Sequence, residues 1–331
     1  MKSGLQTNQP AGQTVLITGG CGFIGTNLAK FLGNYGYRIK VIDNLSTGSK
    51  DNLLSSGYHI ADTDLVIGDV RDRDKTDKAI AGADAVVHLA AHTRVLESMA
   101  NPEQNWDINT RGTANVLETC RTMNVKTFIF ASSNVAVGQQ VPPVDEAKIP
   151  KPISPYGASK LAGEALTTAY HFSYDLNTVA LRFANCYGPY SEHKTSVIAH
   201  FIKQIMRGES LVIYGDGKQT RDFIHVDDIC RAILLCLRRA TNNKPDTSNI
   251  WGETFQIASG KETTINSLAN MLRDVTQKDF KIIYQPKRQG EIERNYSNIT
   301  KARKLLGFNP EVELSNGLGS LWNWFEKGEH P

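Results

Sequence analysis

Cysteine is scarce in this 331-residue chain, and the little there is has no pattern. Cys21, Cys120, Cys186, Cys230 and Cys236 form an odd, scattered set without a C-x-x-C pair. That argues against a disulfide framework and against the common zinc spacings, so reduced, buried thiols and no metal are expected. Charge of one sign is lacking as well. A formal balance of +3 is too small to call for nucleic acid or a membrane surface as partner. No uninterrupted apolar run approaches the ~18 to 20 residues of a spanning helix. The first ten residues, MKSGLQTNQP, have no apolar centre of the secretory kind and read as a frayed tail. A cytoplasmic protein is expected. Internal repeats and low-complexity tracts are also missing, which sets aside solenoids and disordered linkers.

What the chain has is alternation. Short apolar runs at 14–18, 38–42, 64–67, 85–89, 127–131 and 178–183 are separated by helix-length segments such as 23–35, 110–123 and 156–174. Strands rich in Val and Ile, each followed by a crossover helix, predict a parallel sheet covered on both faces. After about Asn185 the elements shorten, with a turn at Tyr214-Gly-Asp-Gly217, a helix at 226–239 and a polar loop at 241–248. The fold class is therefore α/β, a doubly wound parallel (Rossmann) sheet with a smaller C-terminal substrate-binding lobe. Residues 12–185 are expected to form the dinucleotide-binding domain. Residues 186–331 are expected to form mainly the lobe, with some segments returning to the first domain.

The chemistry starts at Thr18-Gly19-Gly20-Cys21-Gly22-Phe23-Ile24-Gly25, which leaves the first strand and opens the first helix. Glycines there allow a tight turn and a close approach to a pyrophosphate, and the helix start offers N–H groups and positive dipole. The second strand ends at Asp43, the place for a carboxylate that takes ribose hydroxyls. Asn44 rather than Arg follows it, which favours NAD over NADP. Further on, Tyr156-Gly-Ala-Ser-Lys160 puts a phenol and an ammonium four residues apart on one helix face. A cation beside the phenol is expected to lower the tyrosine's pKa and make it usable as a base. Ser133, at the end of the fifth strand, points into the cleft where parallel sheets bind ligands.

These motifs, with Asp69-Val70, His88-Leu-Ala-Ala91 and Asn109-x-x-Gly-Thr113, resemble the extended short-chain dehydrogenase/reductases. The closest group is the NAD-dependent sugar epimerase/dehydratases, in particular their UDP-glucose 4-epimerase branch, and the likeness runs from about residue 14 to 325. It implies Ser133, Tyr156 and Lys160 as catalytic residues. Gly19, Gly22, Phe23, Ile24, Gly25, Asp43, Asn44, Ser46, Thr47 and Gly48 would bind the cofactor. Asp69 and Val70 would flank the adenine, Leu89, Ala90, Ala91 and Asn109 would line the cofactor, and Lys160 would also hold the nicotinamide ribose. On the substrate side, Ser133 and Tyr156 face the sugar, Asn185, Arg221 and Arg288 would hold the diphosphate, and Val197 and Tyr214 would lie near the base. The helical segments 101–123 and 156–174 imply a homodimer.

The likeness also separates reactions. Dehydratases of this group carry Asp-Glu after the catalytic position, where this chain has Asn134 and Val135, neither of which can act as acid or base. Reversible hydride chemistry at one carbon is left: a UDP-hexose 4-epimerase working through a transient 4-keto sugar. Asn295, standing where a bulky aromatic restricts the 2-substituent, implies room for 2-acetamido sugars. Arg94 stands in a segment where some epimerases carry a cofactor-contacting lysine, and would suit an acidic sugar. The alternatives are a nucleotide-sugar 4-reductase or dehydrogenase, a UDP-uronate epimerase, and a non-enzymatic NAD sensor.

Overall fold

The computed structural model describes residues 12–241, 249–287 and 292–328. The first ten residues, all but Thr241 of the polar stretch 241–248, and Arg288 lie outside the described residues. The first half runs β1 (Thr14–Thr18), α1 (Phe23–Asn34), β2 (Arg38–Asp43), α2 (Lys50–Ser55), β3 (Leu65–Ile67), α3 (Arg73–Ile80) and β4 (Ala85–His88). It continues with α4 (Val95–Ala100), α5 (Pro102–Trp106), α6 (Gly112–Thr122), β5 (Thr127–Ser133), α7 (Pro155–Tyr174) and β6 (Asn177–Phe183). The second half adds β7 (Asn185–Tyr187), α8 (Val197–Met206), β8 (Leu211–Tyr214), β9 (Thr220–Arg221), β10 (Phe223–His225) and α9 (Val226–Thr241). β11 (Thr254–Ile257), β12 (Thr263–Thr264), α10 (Ile265–Thr276), β13 (Ile282–Gln285) and α11 (Leu314–Glu326) complete it.

Among the described residues, seven strands pair in the order β11-β6-β5-β4-β1-β2-β3, all parallel. The chain winds outward from β1 in one direction and from β4 in the other, so the strand order reverses between them. Ligands of such sheets bind outside the carboxyl ends at that reversal. Period-two burial makes the sheet two-faced: Val15, Ile17 and Ile129 pack to one side with Leu28 of α1 and Ile229 of α9. Leu16, Phe128 and Phe130 pack to the other, with Ile80 of α3 and Val116 and Leu117 of α6. The doubly wound Rossmann architecture of the sequence reading is present.

Two features differ from the sequence reading. The seventh strand, β11, comes from far down the chain, and its four residues carry too little pattern to stand out. The helical segment expected over 101–123 is not regular: a wide turn at Asp107–Arg111 joins α5 to α6. Asn109 explains that widening: its amide donates to His92 O (3.0 Å) and Ser159 Oγ (3.0 Å) and accepts from His92 N–H (2.7 Å). Such local unwinding marks sites where a side chain is held out of the regular ladder.

Candidate active site

The cleft is built from strand ends. At β1, Gly19 to Gly25 make the turn into α1, whose start has no side-chain cap. A Cβ at Gly25 would lie 2.3 Å from Gly19 O, so only glycine allows the helix to spring this closely from its turn. The loop after β2 folds back onto it. Asp43 is buried, and its two oxygens accept from Cys21 N–H (2.9 Å) and Leu45 N–H (2.8 Å). Asn44 Oδ1 holds Ser46 N–H (3.1 Å), and Ser49 N–H reaches Cys21 O (3.2 Å). Asn44, Ser46 and Thr47 are exposed, and Gly48 half-buried, on the rim of the glycine turn. Thr18 Oγ1 holds the end of β4 by accepting from Leu89 and Ala90 N–H (3.2 and 3.1 Å).

Asp69 is more occupied than the sequence reading implies. Its carboxylate takes Arg71 through both oxygens (2.8 and 2.9 Å) and Asn44 Nδ2 (2.9 Å), and the Arg71 pair holds it down to about 2. Arg71 also reaches Asp107. Asp69 thus braces the rim, and Asn109 has both ends of its amide taken by protein partners, as described above.

The three proposed catalytic residues do converge. Ser154 caps α7 by accepting from Gly157 N–H (3.1 Å), with Pro155 at its first position. This sets Tyr156 in the first turn, where its N–H donates to Ser98 Oγ on α4 (3.2 Å). Gly163 lets α7 lie against β5; a Cβ there would sit 2.3 Å from the Phe130 ring. Lys160 can then reach back to Ala131 O (2.8 Å) over the Phe130 face, two residues before Ser133. Ser133 lies close enough to the Tyr156 phenol to favour its charged form.

The expected lowering of the Tyr156 pKa by Lys160 is corrected by this geometry. Burial disfavours phenolate and pushes the phenol up to about 12, with Ser133 acting downward. Burial also pushes Lys160 down to about 7, with Glu164 acting upward and Lys194 further downward. The ammonium is committed to a carbonyl rather than to the phenol, and both groups are buried against their charged forms.

Behind this trio lies a buried pair that no spacing announces. Glu164, one turn beyond Lys160, accepts from Arg182 of β6 (2.8 and 2.7 Å) and from Ser132 Oγ (2.5 Å). It fixes the end of β5 against α7.

The substrate-side residues gather around β7 and β9. Asn185 N–H and Nδ2 both donate to Asp222 O (3.0 and 3.1 Å). Arg221 donates to Thr220 O and Ile292 O (2.8 Å each). Asn295 N–H reaches Thr220 Oγ1 (3.4 Å), and Gln219 ties in Tyr214 through its carbonyl (2.7 Å). Val197 opens α8 and is half-buried against the core. Asp222 organises the group. Fully buried, it accepts from Ser259 N–H and Oγ, Gly260 N–H and Ser297 N–H. Burial raises its pKa in spite of these donors.

With this geometry in place, comparison decides the lineage. The model of the NAD dependent epimerase/dehydratase family matches residues 15–252. The chain belongs to this family. It is similar to the UDP-glucose 4-epimerase of Thermotoga maritima, solved with UDP-glucose: 34% identity, 96% of this chain and 100% of that one, TM-score 0.86. The UDP-N-acetylglucosamine 4-epimerase of Methanobrevibacter ruminantium, solved with UDP-N-acetylmuramic acid, matches at 32%, 96% and 99%, TM-score 0.87. The UDP-glucuronate 4-epimerase of Thermodesulfobacterium geofontis is 32% identical over 93% of this chain and 95% of its own length. The family's cofactor is NAD, and the residues present fit it. The glycine-rich turn at Gly19–Gly25, the start of α1 without a side-chain cap and the buried Asp43 have the chemistry that a pyrophosphate and a ribose need. Asn44 adds no cation that would select a 2′-phosphate.

Proposed function

We propose that this enzyme is a nucleotide-sugar 4-epimerase acting on a UDP-hexose, neutral or 2-acetamido, through a transient 4-keto sugar. The observation that carries the reading is the identity of the side chains around the reacting position. Ser133, Tyr156 and Lys160 supply proton handling at one carbon. The next two residues, Asn134 and Val135, offer no second acid or base, and Asn134 Oδ1 merely accepts from Ser133 Oγ (3.4 Å). Water elimination needs that second pair and an epimerisation does not.

In this mechanism Ser133 and Tyr156 take the proton from the sugar 4-hydroxyl and later return it. Lys160 orients the nicotinamide ribose and keeps a donor at the carboxyl end of β5. When bound, NAD would supply reversible hydride chemistry and a positive charge that favours loss of the phenol proton. Asn185, Arg221 and Arg288 hold the diphosphate as the keto sugar turns over, because guanidinium forks match phosphate oxygens. Val197 and Tyr214 flank the base, and Asn295 leaves space at the 2-position. The test is UDP-glucose carrying deuterium at C4, with no cofactor added. UDP-galactose retaining the deuterium at C4 is expected. A requirement for stoichiometric free cofactor would contradict an epimerase.

A further inference from the structure

Thr18 and His88 are register partners at the carboxyl ends of β1 and β4. Between these two strands the order of the sheet reverses, which is where such sheets take their ligands. His88 is almost wholly buried, near the rings of Phe128 and Phe130. Both of its ring nitrogens are engaged, Nδ1 with Thr18 Oγ1 (2.7 Å) and Nε2 with Thr113 Oγ1 of α6 (3.0 Å). An imidazole is costly to bury unless both bonds are made. The proton handling proposed for Ser133 and Tyr156 uses neither nitrogen, so the ring has another task.

The two hydroxyls fix which nitrogen carries the proton. Thr113 Oγ1 gives its one hydrogen to Asn109 O (2.5 Å). Toward Nε2 it can therefore only accept, and Nε2 must be the N–H. Thr18 Oγ1 accepts from Leu89 and Ala90 N–H (3.2 and 3.1 Å), so its hydrogen goes to Nδ1, which must be bare. Both ends give the same neutral tautomer. Burial, with Lys160 nearby, holds the imidazole down to about 3, so it stays neutral at pH 7. The result is one directed chain, from the Leu89 and Ala90 amides through Thr18, His88 and Thr113 to Asn109. Its ends reach both halves of the site. Gly19 packs on Ala90, where a Cβ on the glycine would lie 2.9 Å from Ala90 N, so the glycine turn rests on backbone that Thr18 holds. At the other end Asn109 Nδ2 donates to Ser159 Oγ (3.0 Å), which donates to Tyr156 O (2.9 Å).

We propose that His88 is a positioning residue for the dinucleotide: accepting at Nδ1 and donating at Nε2, it sets the spacing of the β1 and β4 ends and ties that crevice to the turn that carries Asn109. Buried beneath the strand ends, it acts through Thr18 and Thr113 rather than on the ligand. Ring volume alone does not suffice, because an acceptor has to face Thr18. Without one, the Thr18 hydroxyl is left with an unpaired buried hydrogen, and it recovers only by turning away from Leu89 and Ala90.

The test is the rate at which the purified holoenzyme exchanges its bound NAD for labelled NAD, in wild type, His88→Phe and His88→Asn. Phenylalanine keeps the ring volume, whereas asparagine offers an amide oxygen where Nδ1 stood. Leaving a buried partner unsatisfied is worth about 10- to 100-fold. The off-rate is expected to rise by that much in His88→Phe and by clearly less in His88→Asn. A space-filling role predicts the reverse order, since phenylalanine suits the neighbourhood of Phe128 and Phe130 better. That order, or equal rates, overturns the proposal. Thr18→Val keeps the shape of Thr18 and removes its hydroxyl. It is expected to match His88→Phe, and the double variant to lose no more than either; additive losses overturn the coupling of the two residues. If the variants fail to fold, the wild-type holoenzyme still decides. Nitrogen-15 NMR of the eight labelled histidines must show a His88 that is protonated at Nε2, bare at Nδ1 and constant from about pH 5 to 8. A proton on Nδ1 overturns the proposal. Neither readout depends on which sugar reacts, so both stand apart from the 4-epimerase reading.

Discussion

At the residue scale, Tyr156 and Lys160 set opposite slopes of stability against pH. Lys160 moves from 10.5 down to about 7 on folding. Below about 7 both folded and unfolded chains carry the proton, and the burial penalty on the ammonium is fully present. Between about 7 and 10.5 the unfolded chain binds more protons, so stability rises with pH. Tyr156 moves from 10.0 up to about 12, so between those values the folded chain binds more protons and stability falls. Melting temperatures of cofactor-free protein across pH 6 to 10 should therefore rise more in wild type than in Lys160→Met. Equal slopes would contradict the burial of the ammonium. The sequence reading reached Tyr156, Lys160, Ser133, Asp43 and the glycines because each sits in a short local pattern tied to a strand end. It missed Ser98, Glu164, Arg182 and Asp222, since their contacts come from segments that meet only on folding. The opposite pKa shift of Tyr156 was hidden for the same reason: spacing reveals a neighbouring cation, and burial is a property of the packed fold.

At the element scale, the site is a strand and a helix locked together. β5 carries Ser133, α7 carries Tyr156 and Lys160, and their mutual position depends on Gly163 against Phe130 and on the Glu164–Arg182 pair. Both members of that pair are almost wholly buried, and Arg182 Nη1 already lacks a partner. Glu164→Ala leaves a buried guanidinium uncompensated, which typically costs about 3–5 kcal/mol. Urea denaturation should show that loss, with a smaller one in Glu164→Gln, which keeps a hydrogen-bond acceptor. A change below about 1 kcal/mol would place the pair among surface-like bridges and remove it from this account. Elements with a clear period, β1 to β6 and α1, α7 and α9, were legible within a few residues. β11 was not, because a four-residue strand pairing in the sheet through long-range contacts has no local signature. The turn at Asp107–Arg111 was not legible either, because it rests on the bonds of one amide, Asn109, to His92 and Ser159 in other segments.

At the scale of the whole molecule, everything assigned a role lies along one edge. Gly19, Asp43, Asp69, Leu89, Ser133 and Asn185 all follow or close the carboxyl ends of strands in one parallel sheet or just beyond it. In the second half, Asp222 and Arg221 tie β9 and its flanking residues to Ile292, Ser259 and Ser297. Under the proposed function, a cofactor cradle, one proton-handling centre and an anion-holding wall would form a site in which a sugar is oxidised, turned and reduced without release. The most direct test of that claim needs no added cofactor. Purified protein is incubated with UDP-glucose, UDP-N-acetylglucosamine and UDP-glucuronate separately, and the sugar H1 region is followed by proton NMR. Conversion of at least one sugar to its 4-epimer without added NAD is the result this account predicts. If all three remain unchanged, and remain so when NAD is supplied, the 4-epimerase account is wrong.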